Sequence, residues 1–204
     1  MKKVNIFDSR GVIKFFIFII TSVLFFSGCA SKPKFSGEGD LCGLIIDENN
    51  KPVKDFVVRC CNKNLQSEKP VITNESGLFV FNDVPSGNYL LWGEKLNYLR
   101  IPKTTYKFND RSKIICLQTK SFKASLLQVE DLMALDQTDE ADKLLNDICY
   151  ESKSYEAQVI QAYKFFITKN EREKKSLIKK MKKSNGPEKY FFKEFAEKLE
   201  EVMK

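Results

Sequence analysis

The chain has 204 residues, 43% of them hydrophobic and 30% charged, with a net charge of +7 and no histidine. That length allows one domain or two small ones, and the charged fraction excludes a bundle of membrane spans. The missing histidine removes the commonest general base and metal ligand. The basic excess, part of it carried by Lys2, Lys3, Arg10 and Lys14, comes without the basic and aromatic constellation of a nucleic-acid reader.

Residues 1–28 read as an export signal. The early basic residues precede a dense apolar run from Phe15 to Phe26, too short for an easy membrane span. The run ends in Ser27-Gly28-Cys29, small residues before a cysteine, which resembles the bacterial lipobox. Phe26 departs from the usual Leu, Val or Ile three residues upstream. The resemblance implies cleavage before Cys29 and lipidation of its thiol. The protein is then held on a membrane of the bacterial cell envelope, periplasmic or surface-exposed, without a spanning helix. The alternative is an ordinary signal peptide or an uncleaved anchor in which Cys29 is incidental. Residues 29–39, with Pro33, Gly37 and Gly39, read as a tether.

Residues 40–120 carry strand signals. Leu41 to Ile46 and Asp55 to Cys61 alternate in and out, with Leu41, Gly43, Ile45, Phe56, Val58 and Cys60 on the inward face. Pro70 to Thr73 reads as an edge strand, as its proline requires. Gly77 to Trp92 reads as a hairpin with a long corner at Asn82 to Asn88. Thr104 to Phe108 and Lys113 to Gln118 complete about seven short strands, the signature of a two-sheet antiparallel sandwich. The outward apolar row Cys42, Leu44 and Ile46 needs a cover, which the C-terminal segment is expected to supply.

Gly43-Leu44-Ile45-Ile46-Asp47, Pro52-Val53, Thr73 to Phe79 and Asp83-Val84-Pro85-Ser86-Gly87-Asn88-Tyr89 resemble the carboxypeptidase regulatory-like domain. Asn50 and Asp55-Phe56 depart from its usual turn residues. The resemblance implies a transthyretin-like sandwich and an accessory module with no catalytic residues of its own. In such a topology the first and last strands are neighbours, so Cys42 with Cys116 is the first disulfide candidate and Cys42 with Cys61 the second. Buried unpaired thiols are the alternative.

Residues 121–204 switch to Lys, Glu, Leu and Ala in helical spacing. Five helices are expected: one through Leu126, Val129 and Met133, and a second through Ala141, Leu145 and Ile148, capped by Thr138 or Asp139. The third spans Tyr155 to Thr168, the fourth Glu171 to Lys183 and the fifth Glu188 to Met203, with Ser184 to Pro187 as the stop between the last two. The array weakly resembles tetratricopeptide repeats, and a plain helical bundle is the alternative. The lysines of the fourth helix read either as a solvated face or as a face for anionic lipid or an acidic polymer.

The expected fold class is therefore α+β, a seven-stranded antiparallel transthyretin-like β-sandwich followed by a C-terminal α-helical hairpin or bundle. No catalytic, cofactor or metal site is expected. Asp47, Glu48 and Asp83 are the carboxylates an enzyme would use, and all three sit in turns where such residues serve the backbone. The expected role is that of a membrane-tethered interaction or structural platform with a protein partner in the envelope and no nucleic acid. The alternative is a glycan- or peptidoglycan-binding module in which Trp92, Tyr98 and Tyr106 stack on sugars.

Overall fold

Among the described residues the chain forms seven strands: β1 (Glu38–Ile46), β2 (Val57–Asn62), β3 (Glu68–Ile72), β4 (Leu78–Pro85), β5 (Gly87–Glu94), β6 (Ile101–Phe108) and β7 (Ile115–Gln118). This computed structural model describes residues 35–62, 68–183 and 188–203. The export signal, Cys29, most of the tether and the Ser184–Pro187 stop lie outside the described residues. The strands make two sheets, ordered β4-β1-β7 and β3-β2-β5-β6. Leu41, Ile45, Phe79 and Phe81 from the first meet Val58, Tyr89, Leu91 and Phe108 from the second in one buried core. The inward parity expected of Leu41, Ile45, Phe56, Val58 and Cys60 is the parity observed.

Three expectations change. Pairing is mostly antiparallel, but β7 runs parallel to β1, Leu44 standing opposite Cys116. Second, β4 and β5 are not a hairpin: β4 pairs with β1, while β5 pairs with β2 and β6. The cause is local. Asp83 takes a left-handed backbone (φ 53°) where the β1–β4 register shifts, so the inward set moves from Phe79 and Phe81 to Val84. Pro85 then ends the ladder, the Ser86 N–H donates to the Gly37 carbonyl at 2.7 Å, and the Tyr89 hydroxyl donates back to the Pro85 carbonyl at 2.7 Å. The chain thus crosses from one sheet to the other through a single residue. Third, the tether ends earlier than residue 39, because the Phe35 ring packs edge-on against Phe108 at 5.4 Å and β1 already begins at Glu38.

The helices are α1 (Phe122–Ala134), α2 (Thr138–Asp147), α3 (Tyr155–Ile167), α4 (Glu171–Lys182) and α5 (Lys189–Val202), each packed on the next in sequence. Side-chain caps start α1 at Ser121, α3 at Ser154 and α4 at Asn170. Neither Thr138 nor Asp139 caps α2; Gln137 holds that position without a side-chain bond. Two cores follow: Val129, Leu145 and Ile160 join α1 to α3, while Phe165, Met181 and Leu199 join α3 to α5. None of the described helices is long and apolar enough to cross a membrane.

The outward row Cys42, Leu44 and Ile46 is half-buried, but beside it Leu78 and Val80 stay about 40% exposed, and the residue that packs against the α1–α3 core is Leu99, in the loop after β5. The helices dock on that loop. Asn97 donates to the Cys149 carbonyl and Cys149 to that of Tyr98; Leu99 donates to Lys120, Arg100 to Asp147 and Phe122 to Asn97, all at 2.8–3.0 Å. Backbone bonds of this kind fix the attachment as a sheet ladder would.

A cleft between sandwich and helices

The docking leaves a cleft of about 770 Å³ between the end of the four-stranded sheet and the segment after α2. Val57, Glu94 and Arg100 form one wall, and Ile148, Cys149 and Ser152 the other. The sheet wall continues outward as a charge ladder: Glu68 to Arg59 at 2.8 Å, Arg59 to Glu94 at 3.5 Å and Glu94 to Arg100 at 3.6 Å. Strand alternation puts Arg59 on the outer face beside Trp92, its partner across the β2–β5 register. These pairs are half-exposed and contribute little to stability. They set a pattern of donors and acceptors instead.

Burial pushes the Cys149 thiol above its ordinary pKa, and the nearby Arg100 charge only partly opposes that. A thiol kept protonated is a poor nucleophile. Among the described residues no group of three or more Cys, Asp or Glu is placed to hold a metal ion.

The carboxylates singled out in the sequence do not converge. Asp47 accepts from the Asn49 and Lys51 amides at 2.8 and 2.9 Å, closing its own turn. Asp83 occupies the bulge in β4. Glu48 accepts from the Ser121 amide at 2.9 Å and the Ser121 hydroxyl at 2.7 Å, which joins the first turn of the sandwich to the start of α1.

The three candidate stacking rings are also apart. Trp92 lies on the outer face of the four-stranded sheet with the Lys103 ammonium 4.6 Å from its ring centroid. Tyr106 packs at the rim of the sandwich core, opposite Tyr89, under Lys113. Tyr98 belongs to the docking loop, with Lys95 at 5.3 Å. They share no face.

Nor is either cysteine pair bridged. Cys42 and Cys116 both point out of the three-stranded sheet, but the register sets Cys116 opposite Leu44, one pleat away, and the two thiols are free. Cys42 and Cys61 belong to different sheets and both face away from the core between them, which rules out that pairing.

Sequence reasoning placed Arg59 outward but missed the cleft. Glu94, Arg100 and Cys149 are 55 residues apart at most, and nothing in periodicity announces that a loop after a strand will take the backbone bonds of a segment after a helix.

No family model matches the chain, and no curated protein matches it. Solved structures align with part of it at low identity. The Bacillus anthracis TIE protein aligns with 17% identity and a TM-score of 0.37 over 42% of this chain and 17% of its own. A streptococcal ancillary pilin gives 11% identity and a TM-score of 0.37 over 42% and 30%. Catechol 1,2-dioxygenase from Pseudomonas arvilla C-1 gives 12% and 0.33 over 46% and 54%. This chain therefore spans well under two thirds of each, and at these scores the likeness carries nothing about activity or partner.

Proposed function

We propose that the chain is a lipid-anchored, non-enzymatic protein of the bacterial cell envelope, in which a transthyretin-like sandwich and its helices hold a docking cleft for a protein partner. The lipobox-like Ser27-Gly28-Cys29 supports the anchor. The sheet orders β4-β1-β7 and β3-β2-β5-β6, with first and last strands adjacent, support the transthyretin-like assignment. The observation that carries the docking role is the cleft itself. Its walls are held together by backbone bonds, the Glu94–Arg100 ion pair lies on one of them, and burial raises the pKa of the Cys149 thiol on the other. A preorganised cleft that sets Val57, Leu96 and Ile148 beside the charged pair Glu94 and Arg100 suits recognition of another protein.

A photoreactive residue in place of Ser152, at the exposed rim, is expected to give a discrete protein adduct in intact cells. Arg100→Glu is expected to lower its yield about tenfold or more, since it reverses a charge on the opposite wall. The backbone bond from Arg100 to Asp147 does not depend on the side chain, and an unchanged thermal melt of Arg100→Glu checks that the fold is kept. No adduct, or one indifferent to Arg100→Glu, would contradict the docking role.

A further inference from the structure

Between Lys174 and Lys183 the chain carries six lysines and no acid. The obvious way to neutralise them is the acidic α5, but among the described residues only Lys182 makes an ion pair there, with Glu200; Lys174 pairs within its own helix to Glu171 at 3.6 Å. Lys175, Lys179, Lys180 and Lys183 are exposed, and among the described residues none of them is in an ion pair. Two of the four are not scattered. Lys175 and Lys179, one helical turn apart, stand with Lys182 around a groove of about 480 Å³ whose lining also includes Ile178, Glu200 and Met203. Val202, 86% exposed, sits beside Met203 at the end of α5.

We infer that this α4–α5 groove is a second contact with the membrane, in which Lys175 and Lys179 hold anionic lipid headgroups while Met203 and Val202 meet the acyl boundary. The inference rests on the lipid-anchored reading for its choice of occupant. Residues 29–34 can stretch only about 20 Å, so the bilayer is the anionic surface held at highest local concentration beside the body. Each lysine near such a surface contributes on the order of a fivefold gain in partitioning. Apolar side chains beside an uncompensated basic row are what an interfacial contact needs.

The test uses the full mature chain in vesicles. Trp92 is the only tryptophan, so Val202→Trp in a Trp92→Phe background gives one reporter at the groove, read by quenching from brominated lipid. Quenching is expected in vesicles with about 30% phosphatidylglycerol and not in phosphatidylcholine alone. Lys175→Glu with Lys179→Glu is expected to weaken it by about 30-fold or more in lipid titration. Quenching equal in both lipids, or untouched by the charge reversal, overturns the inference, and so does a vesicle-bound chain with no quenching, the outcome if the lysines serve an acidic protein instead. A chain whose groove reporter is quenched but whose Cys29 carries no acyl mass would overturn the anchor alone, which keeps the two failures distinct.

Discussion

Gly43→Val is expected to destabilise the protein by about 3 kcal/mol or more, read as a lowered urea midpoint. Gly43 lies in the central strand of its sheet and points into the core, where its missing side chain is the space the Phe79 ring fills. A Cβ built there would stand 2.1 Å from Phe79 Cζ and 2.8 Å from the Ile115 carbonyl oxygen. Neither neighbour can yield. Phe79 is 1% exposed and edge-packed on Phe81, and the carbonyl is backbone of the paired strand β7. Valine adds two further methyl groups to that clash, so either β7 detaches or the ring is expelled. A valine variant within about 0.5 kcal/mol of the parent would show that the two sheets are not packed as described.

Glu48→Ala is expected to cost about 1–3 kcal/mol and to loosen the helices from the sandwich. The carboxylate accepts two bonds from Ser121, the residue that caps α1, besides a longer one from its neighbour Asn49 at 3.4 Å, so its loss removes a side-chain link between the first turn of the sandwich and the start of the helical segment. Burial alone would raise its pKa, but the Ser121 hydroxyl and amide, together with the Lys120 charge, outweigh that and hold the pKa below the usual 4.5. A depressed carboxylate stabilises the fold above its unfolded pKa and loses that contribution as pH falls through the folded value. The advantage of the parent over Glu48→Gln is therefore full near neutrality, begins to fall as the pH drops towards the usual value of 4.5, and is lost as the pH passes through the lower folded value. Thermal melts of the two proteins across that range measure it. An advantage that grew on acidification would contradict the assignment of Glu48 as an ionised clamp.

Most of the local structure could be read in advance because it depends on side-chain parity and helix stops. The inward faces of β1 and β2 follow from alternation, the edge position of β3 from Pro70, and the spans of α3, α4 and α5, to within a residue or two, from apolar residues at helical spacing. The misreadings share one origin. A strand, a cluster of turn residues and another strand look alike whether the chain folds back within one sheet or steps across to a second, and here Asp83 and Pro85 decide for the step. The direction of β7 against β1 likewise depends on where the chain returns from, which no local pattern encodes. The cleft was hidden for the same reason: its walls come from the ends of β2 and β5 with the β5–β6 loop on one side and the α2–α3 connection on the other, brought together by backbone bonds that any residue types could make. Trp92, Tyr98 and Tyr106 were conspicuous by type, and the fold sends them to three places.

The central claim is that a water-soluble docking body is held on a membrane through the sulfur of Cys29. Mass spectrometry of the N-terminal peptide of the mature protein, isolated from its own membranes, tests this most directly. The account predicts a chain that begins at Cys29 and carries a diacylglycerol group on it; a chain that still begins at Met1, or a Cys29 that bears a bare thiol, would contradict it.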